Sequence, residues 1–189
     1  MKKIMTLLTL MTLASPVSAN EGKITKGYNT MDALGCMLLR ECTDHVDEVF
    51  SLLDVSSKYD NMEEFTPVAA EFNSMLASLN QIGVQVFLAD ERYFPAGHRG
   101  VYHTVSNNFF LNKKYMDEPS TLMKVMRHEG WHAAQDCMAG SIKNNMIAII
   151  HAEEEVPMIW RVMAERTYPK SAVPWEEEAA WAGYSQGMT

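Results

Sequence analysis

His128-Glu129-Gly130-Trp131-His132 is the stretch on which the reading of the whole chain turns. Two histidines four residues apart lie one turn above the other on a single helix face, so both imidazoles can reach one metal ion. The acid beside the first histidine can then reach a water on that ion. With this composition, chance supplies roughly 0.02 such H-E-x-x-H pentapeptides in the chain, so the match carries weight. Gly130 inside the helix costs about 1 kcal/mol relative to Ala, which points to a close neighbour at that position. Trp131 faces away from the two rings and reads as a core anchor.

Around this segment the chain reads as α+β: a mainly helical single domain with a small antiparallel sheet or hairpin before the motif helix. Thr30 to Val55 carries an apolar stripe through Leu34, Val46, Val49 and Leu53 and reads as one helix. Thr66-Pro67 opens a second helix that Gly83 stops. Val84, Val86 and Leu88 then alternate as a strand does. After a polar stretch, Asp90 to Gly100, the segments Val101–Val105 and Phe109–Leu111 read as extended, with a break at Ser106-Asn107-Asn108. Pro119-Ser120 introduces the central helix, Thr121 to Met138, and Gly140 ends it. Asn144 to Ile150 and Val156 to Glu165 read as helical, and Pro174 starts a last helix through Tyr184.

The first residues have the form of an export signal. Lys2 and Lys3 precede an apolar run, Ile4 to Ala14, and small residues lead to a cleavage point after Ala19. The expectation is a signal segment over 1–19 and one domain over 20–189, periplasmic or extracellular after cleavage. The run is short for a bilayer, and no stable membrane span is expected. Loss of Lys2 and Lys3 makes the formal charge of −8 more negative by two. With no basic stripe, nucleic acid is not an expected partner. An exported chain can hold a disulfide, and the three cysteines leave one over. Cys36 and Cys42, six apart on one expected helix, point to different faces. The expected bridge therefore joins one of them, Cys42 in preference, to Cys137.

Two histidines require a third protein ligand. The H-E-x-x-H-x-x-G-x-x-H spacing is absent, since Gln135 and Met138 stand at its last two positions. Downstream acids come as Glu153-Glu154-Glu155 and Glu176-Glu177-Glu178. Here the chain resembles the gluzincins, metallopeptidases in which a Glu from a later helix, often within E-x-x-A, completes a zinc site. On that resemblance the metal ligands are His128, His132 and Glu176. Glu176 has Ala179 three residues on and continues through Ala180 to Gly183, small residues that let two helices approach. Glu177 and Glu178 remain alternatives, as does Glu153, 21 positions after His132. Ala180 stands where the gluzincin pattern often has a polar residue that supports a zinc histidine. Asp136 and Gln135, one turn past His132, are the substitutes available.

The resemblance implies an exported peptidase holding one Zn2+, with peptide or protein substrates and Glu129 as general base. It implies a stabiliser for the developing oxyanion, for which Tyr184, Tyr168, His151 and Arg161 are candidates. It also implies that the extended segment Val101 to Leu111 lines the cleft and pairs with substrate backbone. His98 and His103 are assigned no metal role. Two other readings stay open: a zinc-binding, non-proteolytic peptide-binding or envelope-associated module, and a zinc hydrolase acting on another bond.

Overall fold

A computed structural model describes residues 30–140 and 147–188, with side chains from residue 33. The expected signal segment lies outside the described residues. No described helix is long and apolar enough to cross a membrane.

The first described helix, α1, spans Thr30–Leu38 and stops there. Arg40 takes φ +57°, and the amides of Glu41 and Cys42 turn back onto the Cys36 carbonyl at 2.9 and 3.1 Å. This reversal brings Cys42 beside Cys36, with Cα atoms 5.3 Å apart, and the two form a disulfide. The expected bridge to Cys137 is therefore wrong, and Cys137 is free and exposed. The six-residue separation pointed to opposite faces only because the helix was taken to continue. It does not reach Val55: residues 46–48 form strand β1 (Val46–Glu48), and a separate short helix, α2, spans Leu52–Ser56. Asp54 starts α2 by accepting the amides of Phe50 and Ser51 at 2.9 and 2.8 Å. Leu53, counted into one apolar stripe, is exposed, as is Phe50.

A 3-10 turn over Met62–Val68 contains Pro67, and helix α3, Ala69–Gln81, follows. Gly83, at φ +80°, ends α3 and delivers the chain into β2, Gln85–Ala89. Strands β3 (Gly100–His103) and β4 (Asn108–Asn112) form a hairpin whose turn holds Asn107 at φ +55°, a conformation Asn tolerates. The break read at 106–108 is this turn.

The sheet has four strands in the order β1-β2-β4-β3. It is mixed rather than antiparallel, because β2 and β4 run parallel while β1 and β3 pair antiparallel at the two edges. The central strands are covered on both faces. Val86, Leu88, Phe109 and Leu111 pack with α3 and the motif helix, whereas Phe87, Ala89 and Phe110 pack with α1, Tyr93 and Phe94. Such two-sided cover explains why both strands read as nearly unbroken apolar runs.

The motif helix, α4, spans Pro119–Met138, with Pro119 in its first turn where no amide partner is needed. Gly140, at φ +92°, follows its end. The helix expected over Asn144 to Ile150 is not present in its described part: residues 147–150 have no regular structure, and 144–146 lie outside the described residues. Helix α5, Met158–Thr167, and helix α6, Val173–Tyr184, complete the chain, with α6 packed between α4 and α5.

Candidate metal centre

Close packing of α6 on α4 is set by small residues. Ala179 and Ala182 are fully buried, and a Cβ on Gly183 would stand 3.1 Å from the Lys124 carbonyl and 3.4 Å from His128 Cβ. Three and seven residues after Glu176, Ala179 and Gly183 lie on its side of α6. The carboxylate is thus delivered to the two histidines. Its Oε2 lies 3.4 Å from His128 Nε2 and 3.6 Å from His132 Nε2. The two rings meet edge to face, with centroids 4.9 Å apart. One ligand atom from each of the three residues fits within a 4.8 Å group.

The other acids go elsewhere. Glu177, next on α6, turns to Arg161 Nε at 3.3 Å. Glu178 is fully buried against α4, where Trp131, Gln135, Ile150 and His151 all donate to it. Glu153 is exposed and paired with Arg161 at 2.6 Å. Three consecutive acids on a helix point about 100° apart, and here they meet three different environments.

Burial alone would raise the Glu176 pKa, but the two imidazoles outweigh it and bring the carboxyl down to about 2. Burial would lower the His132 pKa, yet contact with Glu176 and the charges of Glu129 and Glu176 raise it on balance. Oε2 of Glu176 is buried and makes no properly aligned hydrogen bond.

Glu129 is buried on the same helix, and its Oε2 accepts the Tyr102 amide of edge strand β3 at 2.9 Å. Gly100 makes this approach possible, since a Cβ there would fall 2.5 Å from Val125 Cγ1 and 3.2 Å from Glu129 Cγ. The Tyr102 hydroxyl lies 2.6 Å from Asp136 Oδ2 and 2.7 Å from Asn107 Oδ1. Asp136 therefore serves the edge strand and not a histidine. Gln135 is the residue that reaches His132, with Oε1 2.8 Å from Nδ1. A Cβ on Gly130 would stand 3.2 Å from Met75 Cε, so its close neighbour is α3.

The site opens into a cleft of about 920 Å3. Gly100, Val101 and Tyr102 form one wall, and Tyr168, Trp175 and Tyr184 belong to the other. Of the four oxyanion candidates, Tyr168 and Tyr184 line this cleft. His151 instead stacks on Trp131, with centroids 5.5 Å apart, and Arg161 is held by Glu153 and Glu177. Burial, then the nearby Glu176 and Glu129 carboxylates, push the Tyr168 pKa well up. His98 lines the cleft without joining the three-residue group, and His103 binds Ser106 Oγ at 2.6 Å.

The sequence reading weighed Glu178 only as a metal ligand and Tyr102 only as part of a cleft-lining strand, and missed the bonds they make to Trp131 and Gln135 and to Glu129. Nothing local marks a strand amide as the partner of Glu129, and Glu178 differs from its neighbours only in helical phase. Comparison of the chain with family models, curated proteins and solved structures finds no match in any of the three.

Proposed function

We propose that the chain is a zinc-dependent peptidase of the gluzincin type, with His128, His132 and Glu176 as metal ligands. One observation carries this reading. A buried carboxylate oxygen without a proper hydrogen bond faces two imidazole nitrogens at 3.4 and 3.6 Å. Ligands about 2.1 Å from a tetrahedral zinc stand about 3.4 Å from each other, so these separations suit the ion. The donor set, two imidazoles and one carboxylate, also suits zinc and leaves a fourth position for water or substrate.

Bound zinc would polarise a substrate carbonyl and bring the pKa of water to about 7. The remaining work falls to the chain. Glu129 Oε2 is held by the Tyr102 amide, which leaves Oε1 to take a proton from the attacking water and pass it to the leaving amine. Tyr168, which lines the cleft and carries its phenol proton at neutral pH, would donate to the developing oxyanion. Edge strand β3, apart from the Tyr102 amide that Glu129 holds, would offer its outer backbone to an extended peptide along the cleft wall. Export through the segment ending at Ala19 belongs to the same proposal, and the N-terminal mass of the secreted protein tests it.

A second reading, a zinc-bearing peptide-binding module without hydrolysis, draws support from the Tyr102–Glu129 bond, which gives that carboxylate a structural task. Metal analysis of purified protein and of His132→Ala tests the centre: about one zinc in the first and loss in the second are expected. Digestion of casein and a mixed peptide library by wild type and Glu129→Gln tests the chemistry. Zinc-loaded wild type that cleaves nothing favours the binding module, and equal cleavage by both proteins removes Glu129 from the mechanism.

A further inference from the structure

We propose that Gln135, oriented by Glu178, is a positioning residue that fixes the tautomer of His132 for metal binding. The inference rests on the zinc reading above and adds two residues which that reading does not require.

The hydrogen-bond donors and acceptors leave little freedom. Glu178 is fully buried, and its Oε1 accepts the backbone amides of Ile150 at 2.9 Å and His151 at 2.6 Å. Its Oε2 accepts Trp131 Nε1 at 3.1 Å and Gln135 Nε2 at 2.7 Å. Backbone amides and an indole N–H can only donate, so this carboxylate must receive from every side. Gln135 Nε2 also lies 3.2 Å from the Trp175 carbonyl. Both of its neighbours are pure acceptors, so the NH2 end of the amide is turned toward them. The oxygen end is then left facing His132 Nδ1 at 2.8 Å.

An amide oxygen cannot donate. His132 therefore carries a proton on Nδ1, and the neutral ring presents its lone pair at Nε2, the atom that faces Glu176. The direction is set by backbone groups in residues 150–151 and relayed through one carboxylate and one amide. Such outer partners typically change metal affinity by about ten- to a hundredfold. This chain has Ala180 where the family pattern often carries the supporting polar residue. Gln135, from the motif helix itself, fills that task.

The tautomer can be read on metal-free wild-type protein by long-range 1H–15N correlation of the His132 ring, above the pH at which the ring loses its extra proton. A protonated Nδ1 and an unprotonated Nε2 are expected, and the reverse overturns the proposal. Zinc affinity is then measured by chelator competition for wild type, Gln135→Met and Trp131→Phe. The first variant cuts the relay. The second removes another donor from the same carboxylate and leaves the relay whole. Gln135→Met should bind zinc about ten- to a hundredfold more weakly, while Trp131→Phe loses thermal stability and keeps its affinity within about twofold. Equal weakening in both variants, or none in Gln135→Met, overturns the positioning role. If Gln135→Met does not fold, the wild-type ring measurement decides alone. Wild type with the expected tautomer and no zinc uptake overturns the metal reading instead.

Discussion

Gly183 and His128 stand on different helices with room for nothing between them: a Cβ on the glycine would rest 3.4 Å from that of the histidine. The separation of α6 from α4, and with it the reach of Glu176, is fixed at this point. Gly183→Val should lower stability by about 1–3 kcal/mol through overpacking. It should also reduce zinc content, because the two helices must part. Thermal unfolding and metal analysis check both, and a variant destabilised but fully zinc-loaded would show that the helix spacing does not govern the site.

The two acids beside the histidines should separate cleanly. Glu176→Gln removes the anionic ligand, and its zinc stoichiometry should fall well below that of wild type. Glu129→Gln should keep its zinc while cleavage falls by about 10²–10⁴-fold, the usual contribution of a positioned base. Metal content and peptide hydrolysis measured on the same samples make the comparison, and zinc loss from the Glu129 variant would place that residue among the ligands.

In metal-free protein Glu176 and His132 predict a pH dependence. Glu176 titrates at about 2 when folded, below its unfolded value, so its contribution is present above about 4.3 and is lost as pH falls toward 2. His132 has a folded pKa raised above 6.5, so its contribution is complete below 6.5 and is lost as pH rises through the folded value. Metal-free stability should therefore be greatest between about pH 4.5 and 6.5. Zinc should restore the alkaline side, since a bound cation takes the place of the proton. Melting temperatures from pH 3 to 9, with and without zinc, test this. A metal-free curve that stays flat above pH 6.5 contradicts the assigned pairing.

One thiol per chain should react with iodoacetamide without reductant, and peptide mapping should place it at Cys137. The Cys36–Cys42 bridge closes a short loop, worth about 2 kcal/mol in the chain-entropy account. Cys36→Ser with Cys42→Ser should cost about that much in chemical denaturation. Labelling at Cys36 or Cys42 in unreduced protein would overturn the pairing.

The motif helix and the approach of Glu176 to its two histidines were legible in the sequence because both depend on helical phase. His128 and His132 share a face by spacing, and the small residues after Glu176 mark the face that packs. Of the stretch from Thr30 to Val55, only the opening helix, Thr30–Leu38, was legible. A left-handed Arg40 interrupts what composition alone would continue as helix, and the error propagated to the disulfide. The parallel pairing of β2 with β4 joins segments separated by a loop and another strand, and no local pattern records it. Gln135 and Asp136 could not be told apart, since both lie one turn beyond His132. What stands opposite decides between them: Trp175 and Glu178 for one, Tyr102 for the other.

Tyr102 is gripped at both ends, its amide by Glu129 and its hydroxyl by Asp136, two side chains nearly two turns apart on α4. Strand and helix are thereby riveted along a common seam. A peptide pressing on the outer rim of the sheet cannot displace that rim without tugging on Glu129, so occupancy of the cleft should reach the proposed base as a mechanical load.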